Sequence, residues 1–366
     1  MKMKSKMGLL PLAMLMMLVT SCSAQFSTPV PEEIQVPNPP DLRNTPLKVG
    51  DFWTYRIEFT FAGLNITEIA MTLTNQTLTP EEILTLKMYE RTVLNITSVL
   101  SKIEPKITIL SRTADSITMN VYFYYNETIK GNETRTFTLL PQWEVNETFT
   151  CFPFIRPPND SHENIMTYIN PHIEKFKELL NQTFPGLDIS KYYYIGTTET
   201  TGFYGGAYRK VNELRFTIPH VISSAKEILA YLNKTEIFEK IPENMKKMEL
   251  DLDMYVHWDK ETGVLAGYKF SARLASVSWF AYRVMTIKLS STNLWAPNIM
   301  ETFTYSVKSL VTGCFENIIT YYINGFIFGD TSAQSMFVVC IIGTIAALGV
   351  ITYIIRRLFG RKEKRV

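Results

Sequence analysis

The stretch Met248-Glu-Leu-Asp-Leu-Asp-Met-Tyr-Val-His-Trp258-Asp-Lys-Glu-Thr-Gly263-Val-Leu-Ala-Gly-Tyr-Lys-Phe-Ser-Ala-Arg-Leu274 carries the clearest structural pattern in the chain. Met248, Leu250, Leu252, Met254, Val256 and Trp258 alternate with Glu249, Asp251, Asp253, Tyr255 and His257. Successive side chains of a strand point to opposite faces, so the alternation predicts a strand with one core face and one wet face. Asp259-Lys260-Glu261-Thr262-Gly263 then turns the chain, and Val264, Ala266, Tyr268, Phe270 and Ala272 share a face of the returning strand. A third strand is expected over 276–289, which makes the region an antiparallel meander.

Working outward, Val49-Gly50-Asp51 reads as a turn leading into Phe52-Trp53-Thr54-Tyr55-Arg56-Ile57-Glu58-Phe59, whose aromatic and β-branched residues favour a strand. The same Thr-rich, aromatic texture runs from 66 to 150 and predicts further antiparallel strands. Two stretches depart from it. Over 161–181, Ile165, Tyr168, Ile169, Ile173, Phe176 and Leu180 fall at helical spacing, with Ser161 as cap and Pro171 marking a kink or a second helix start. Over 219–232, Ile222, Ala225, Ile228, Leu229 and Leu232 do likewise. The expected class is α+β: one large antiparallel sheet with a few helices inserted mid-chain, filling a single domain over 49–335.

The two ends differ from the middle. Residues 336–355 are uncharged and apolar, and at ~1.5 Å per residue they reach ~30 Å, the thickness of a bilayer's hydrocarbon core. A C-terminal transmembrane helix is expected there. Arg356, Arg357, Arg361, Lys362, Lys364 and Arg365 follow, which places the tail 356–366 in the cytoplasm and the domain outside the cell membrane. Residues 1–24, with a basic start, an apolar centre and small residues at Ser21, Ser23 and Ala24, have the form of a secretory signal peptide. Val19-Thr20-Ser21-Cys22 also has the form of a lipobox, in which Cys22 would be lipidated. Residues 25–48 are Pro-rich and read as an extended linker or a strap along the domain surface. The formal charge of +2 sits in the basic ends, so the part between them is net acidic. Nucleic-acid binding is thereby excluded, since its affinity comes from Lys and Arg against phosphates.

Nine Asn-X-Ser/Thr sequons occur, at Asn65, Asn75, Asn95, Asn126, Asn132, Asn146, Asn159, Asn181 and Asn233, more than the Ser and Thr content would place by chance. They point to N-glycosylation of an exterior domain. The chain from 235 to 335 carries none, so it is either the packed base of the domain or a contact face. Once Cys22 leaves with the signal and Cys340 lies in the membrane, Cys151 and Cys314 remain outside, and a disulfide between them is expected in an oxidising compartment.

Chemistry-bearing residues are sparse. Asp251, Asp253 and His257, with Tyr255, project from one side of a strand and form the candidate metal set, with a solvated strand face as the alternative. His162, His172 and His220 lack ligand spacing. Tyr192, Tyr194, Phe203, Tyr204 and Tyr208 are candidates for a sugar- or lipid-binding groove, or for a packed sheet edge. Gly202, Gly205 and Gly206 suit a hairpin turn, since no Gly-Lys-Ser/Thr follows. The apolar run 315–328 fits either the headgroup level of a membrane or the last core element. No cofactor motif is present.

The segment Gly50-Asp51-Phe52-Trp53-Thr54-Tyr55, together with Trp258-Asp259-Lys260-Glu261-Thr262-Gly263-Val264-Leu265, resembles a pattern in uncharacterised archaeal secreted and membrane-anchored proteins. Their sheets are similar to those of periplasmic lipoprotein carriers. The resemblance implies a curved sheet with helices on its concave side, able to hold acyl chains. The expected function is that of a single-pass surface glycoprotein, integral to the membrane, with a non-catalytic binding or structural domain. Its partner would be a carbohydrate, a lipid or another protein. Alternatives are a carrier of lipid or another apolar ligand, and an extracellular hydrolase.

Overall fold

The computed structural model describes residues 34–35, 41–74, 78–141, 144–145, 155–183, 186, 188–241, 243–276, 280–322, 334–338 and 341. The chain divides into two compact units, Met1–Ala296 and Pro297–Val366.

The first unit is built on a nine-stranded, wholly antiparallel sheet of order β5-β4-β3-β2-β11-β10-β9-β8-β7. The strands are β2 Phe52–Gly63, β3 Ile103–Arg112, β4 Ser116–Tyr125, β5 Thr128–Thr138, β7 Tyr194–Tyr204, β8 Ala207–Ile218, β9 Glu249–Asp259, β10 Leu265–Ala275 and β11 Phe280–Thr292. A separate short pair joins β1 Ile34–Gln35 to β6 Glu144–Val145. The 248–274 pattern forms the hairpin that it predicts, with Phe270 opposite Met254 and Leu274 opposite Leu250. Gly263 closes its turn at φ +74°, a left-handed conformation that glycine adopts without Cβ strain.

Helices α1 Ile66–Thr74, α2 Pro80–Leu100, α3 His162–Thr183, α4 Val221–Tyr231, α5 Thr235–Glu239 and α6 Glu243–Lys246 complete the unit, with a 3₁₀ turn at Ile189–Tyr192. Pro171 lies inside α3, which continues through it. Two packed clusters form against the sheet. The larger includes Trp53, Tyr55, Ile107, Ile109, Met119 and Trp258 from strands with Ile165 from α3. The smaller joins Leu250, Ala272, Leu274 and Ala281 to Ile69 of α1 and Met248, with Val221 and Ile222 of α4 packed against it. Leu42 and Leu47 are buried in the larger cluster, and Arg112 donates to the carbonyls of Arg43, Thr45 and Leu47.

The expected fold class is corrected on two points. Helices are not confined to mid-chain, because α1 and α2 occupy 66–100, where strands were expected. Thr79 caps α2 in a reciprocal box with Glu82, and Pro80 sits at its first turn, satisfying N–H groups that the helix itself leaves open. The expected C-terminal transmembrane helix is also not found: among the described residues no helix is long and apolar enough to cross a membrane. In the second unit, α7 Ile299–Tyr322 starts at Asn298, whose Oδ1 accepts from the amides of Met300 and Glu301, and carries Glu301, Lys308 and Glu316 along its length. Of 336–355, only 336–338 and 341 are among the described residues.

Candidate functional site

Between the two packed clusters one sheet face carries apolar side chains that are only half-buried. Register pairing sets Phe59, Met285, Phe270, Met254, Phe216 and Ile195 side by side across β2, β11, β10, β9, β8 and β7. A parallel row runs Ile57, Ile287, Tyr268, Val256, Leu214 and Thr197. All six residues of the first row are intermediate in exposure, whereas the flanking Trp53 and Trp258 are sealed. At ~4.8 Å per strand, six strands make a band ~24 Å wide. Phe61, at the end of β2, is exposed. The row is continuous with the core at both margins, since Ile195 packs against the larger cluster and Phe270 against the smaller.

The opposite face is ionic. Glu213, Arg215 and Thr217 of β8 stand opposite His257, Tyr255 and Asp253 of β9, and Asp251 stands opposite Arg273 of β10. Tyr204 Oη lies 2.6 Å from His257 Nδ1, and His257 Nε2 lies 2.8 Å from Glu213 Oε2. The Tyr204 hydroxyl, the His257 ring and the Glu213 carboxyl group thus form one continuous hydrogen-bonded chain. Gly202 makes room for the Tyr204 ring, which lies where its side chain would be, and Gly267 lies close against the same ring. Arg215 and Thr217 both donate to Asp253 Oδ1, at 3.1 and 2.6 Å. The strand face that reads as wet in the sequence is therefore half-buried and internally paired.

Asp251 shows how strongly this face is organised. Burial raises its carboxyl pKa, but the His220 amide at 2.9 Å and the Arg273 guanidinium outweigh burial and hold it below the usual carboxylate range. A lowered carboxyl pKa contributes stability that is present above the unfolded value, ~3.9, and is lost as pH falls through the folded one. Asp251→Asn is expected to cost about 1 kcal/mol at pH 7 and to flatten the loss of stability below about pH 4. Urea midpoints from pH 2 to 7 check this; parallel curves for the two proteins would contradict it.

Each candidate metal residue is thus engaged by a neighbour, and among the described residues no group of three or more His, Cys, Asp or Glu is placed to hold a metal ion. The five rings of the candidate groove do not converge. Tyr204 turns to His257 on the ionic face, while Phe203 and Tyr208 stack edge-to-face at 5.4 Å on the other. Tyr194 opens β7 at the end away from Tyr204, and Tyr192 closes the 3₁₀ turn before it. Asn65, Asn95, Asn126, Asn132, Asn159 and Asn233 are all exposed. Asn65 also caps α1 through Oδ1, which leaves Nδ2 for a glycan. Asn75, Asn146 and Cys151 lie outside the described residues, as do the side chains of Asn181 and Cys314.

No family model matches this chain, and no curated protein does. Solved structures give faint likenesses. A conserved protein of unknown function with a hot dog fold from Alicyclobacillus acidocaldarius is 8% identical, with 68% of this chain and 82% of that one covered, at a TM-score of 0.12. The tesB protein of Mycobacterium avium subs paratuberculosis is 8% identical, with 51% and 71% covered, at 0.10. An acyl-CoA thioesterase II, TesB2, from Mycobacterium marinum is 7% identical, with 52% and 76% covered, at 0.10. At such scores the likeness to a thioesterase carries no assignment to this chain.

The apolar band escapes a linear reading because it is assembled from six strands, two of which are more than two hundred residues apart in the chain. The only signal available was the run of Phe and Met at alternate positions in separate strands, which marks a core as readily as a ligand site.

Proposed function

We propose that the first unit is a non-catalytic binding domain of a glycosylated protein on the cell exterior, and that it binds the acyl chain of a lipid along the partly buried apolar band. The observation that carries this reading is the Phe59–Met285–Phe270–Met254–Phe216–Ile195 row, apolar across six strands and only partly buried, where the residues of the flanking clusters are sealed. Covering such side chains with a lipid tail is worth ~25 cal/mol per Å² of apolar area removed from water. The exposure of every sequon asparagine whose side chain is described supports the exterior setting.

The test is lipid binding by the purified full-length chain. Wild type is expected to bind a long-chain lipid that co-purifies or is added, as read by native mass spectrometry and titration. Met254→Asp, which puts a carboxylate in the middle of the row, is expected to weaken binding at least about tenfold, equivalent to ~1.4 kcal/mol. Wild type without lipid affinity, or unchanged affinity in the variant, would overturn the reading and leave the sheet a structural platform.

A further inference from the structure

We infer that the carbohydrate carried by Asn132 closes the β5 edge of the sheet to strand pairing with a second copy of the chain; the inference rests on the glycosylated exterior setting proposed above. β5 ends the strand order, so among the described residues no strand lies on its outer side. An edge strand presents unpaired N–H and C=O groups as a template for another chain. From Thr128 to Thr136 every residue except Gly131 is exposed, on both faces of the strand. Burial therefore sets no register against an added strand, while the Thr and Ile residues favour extended backbone. Glu133 and Arg135 neutralise each other at 2.6 Å, which weakens the charge that could keep a second edge away.

Two sequons sit on this hairpin. Asn132 stands opposite Tyr122 in the middle of β5, and Asn126 lies in the β4–β5 turn at φ +47°. Strands pair ~4.8 Å apart, and a residue arriving opposite Asn132 would bring its Cβ to ~5 Å from that of Asn132. A bulky, hydrated oligosaccharide on Nδ2 occupies that space. In its attachment Nδ2 loses a proton and bonds to the anomeric carbon of a lipid-linked oligosaccharide diphosphate, and the diphosphate leaves with the electron pair of the broken C–O bond. The other edge is managed without sugar. β7 holds no sequon; α3 lies against it, with the Thr197 hydroxyl 3.5 Å from the His162 carbonyl, and Gly205 just past its end donates to Leu289 of β11 at 3.0 Å.

The experiment expresses the full-length chain in a glycosylating host, maps sugar occupancy by peptide mass spectrometry and reads self-association by sedimentation velocity at matched concentrations. Wild type is expected to carry sugar on Asn132. Thr134→Ala, which removes the acceptor signal and leaves Asn132 in place, is expected to self-associate at least about tenfold more tightly than wild type. Thr134→Ser keeps the signal, and Thr235→Ala removes that of Asn233 instead; both are expected to match wild type. Asn132→Lys lacks the sugar but sets a charge on the edge, so it is expected to associate less than Asn132→Gln. Association of Thr134→Ala no stronger than that of wild type would overturn the inference, as would equal association of the Lys and Gln variants, and either leaves the glycosylated exterior reading standing. Sugar on other sequons but none on Asn132 would do the same. A chain without sugar on any sequon would overturn both. Enzymatic removal of sugar from folded wild type needs no variant and is expected to raise association as Thr134→Ala does; unchanged association after removal would also overturn the inference.

Discussion

Gly263→Ala is expected to destabilise the first unit by about 3–5 kcal/mol, the range of substitutions that force backbone to move. Gly263 sits at φ +74°, where an alanine pays ~1–2 kcal/mol, and its added Cβ would collide with the carbonyl of Arg156. That carbonyl cannot swing aside freely. Arg156 N donates to Gly263 O at 2.8 Å and Gly263 N donates to Asp259 O at 2.8 Å, so the clash breaks the contact joining the 259–263 turn to the segment before α3. Gly50, at φ +90° with open space around it, is the control, and Gly50→Ala is expected to lose only the conformational part. Urea denaturation of both variants separates the two contributions through the midpoint at constant slope. Equal losses would show that the Gly263 turn relaxes around the new methyl group.

Arg156→Ala carries the second large effect, about 3–5 kcal/mol. The Arg156 and Asp160 side chains are only 2% and 3% exposed, and they meet through Nε at 2.8 Å and Nη2 at 2.5 Å. The guanidinium also lies 5.6 Å over the ring of Trp258. Removing Arg156 alone would strand a buried carboxylate beside one of the two largest sealed side chains of the core. Arg156→Met with Asp160→Leu removes both charges at similar volume and is expected to recover most of the loss, since an apolar pair avoids the desolvation cost. A double-mutant cycle measures the coupling. If the double variant were as unstable as the single one, packing of the guanidinium stem on Trp258 would be the main contribution.

How much of this was legible in the sequence varies from element to element. The β9–β10 hairpin announces itself because its alternation is regular and its turn ends in a glycine that must take a positive φ. Helices α3 and α4 follow from apolar spacing. Residues 66–100 mislead, because Ile, Thr and Val suit strands and also tolerate helices. The Thr79-Pro80-Glu81-Glu82 capping signature is local and present in the sequence, and it outweighs that texture. The polarity of Asp251, Asp253 and His257 is equally visible, but the neighbours that make the face half-buried, Arg273, Arg215 and Tyr204, lie in other strands. One strand cannot disclose its cross-strand partners, and for the same reason the apolar row could not be located before the register was known.

The strand order has a consequence for how the chain is made. β2 pairs with β11 over Trp53 to Gly63, while β2 and β3 share only the positions from Phe52 to Thr54. The middle seam of the sheet thus joins the first long strand to the last. A ribosome must release nearly three hundred residues before β2 meets its main partner. Until then the β3–β5 and β7–β10 meanders can form, but most of β2 is an open edge that invites pairing with other chains. Closing so long a loop is a slow, non-local step. The sheet is completed only after synthesis of β11, so truncation anywhere before Phe280 leaves a chain with a lasting exposed edge and a tendency to aggregate.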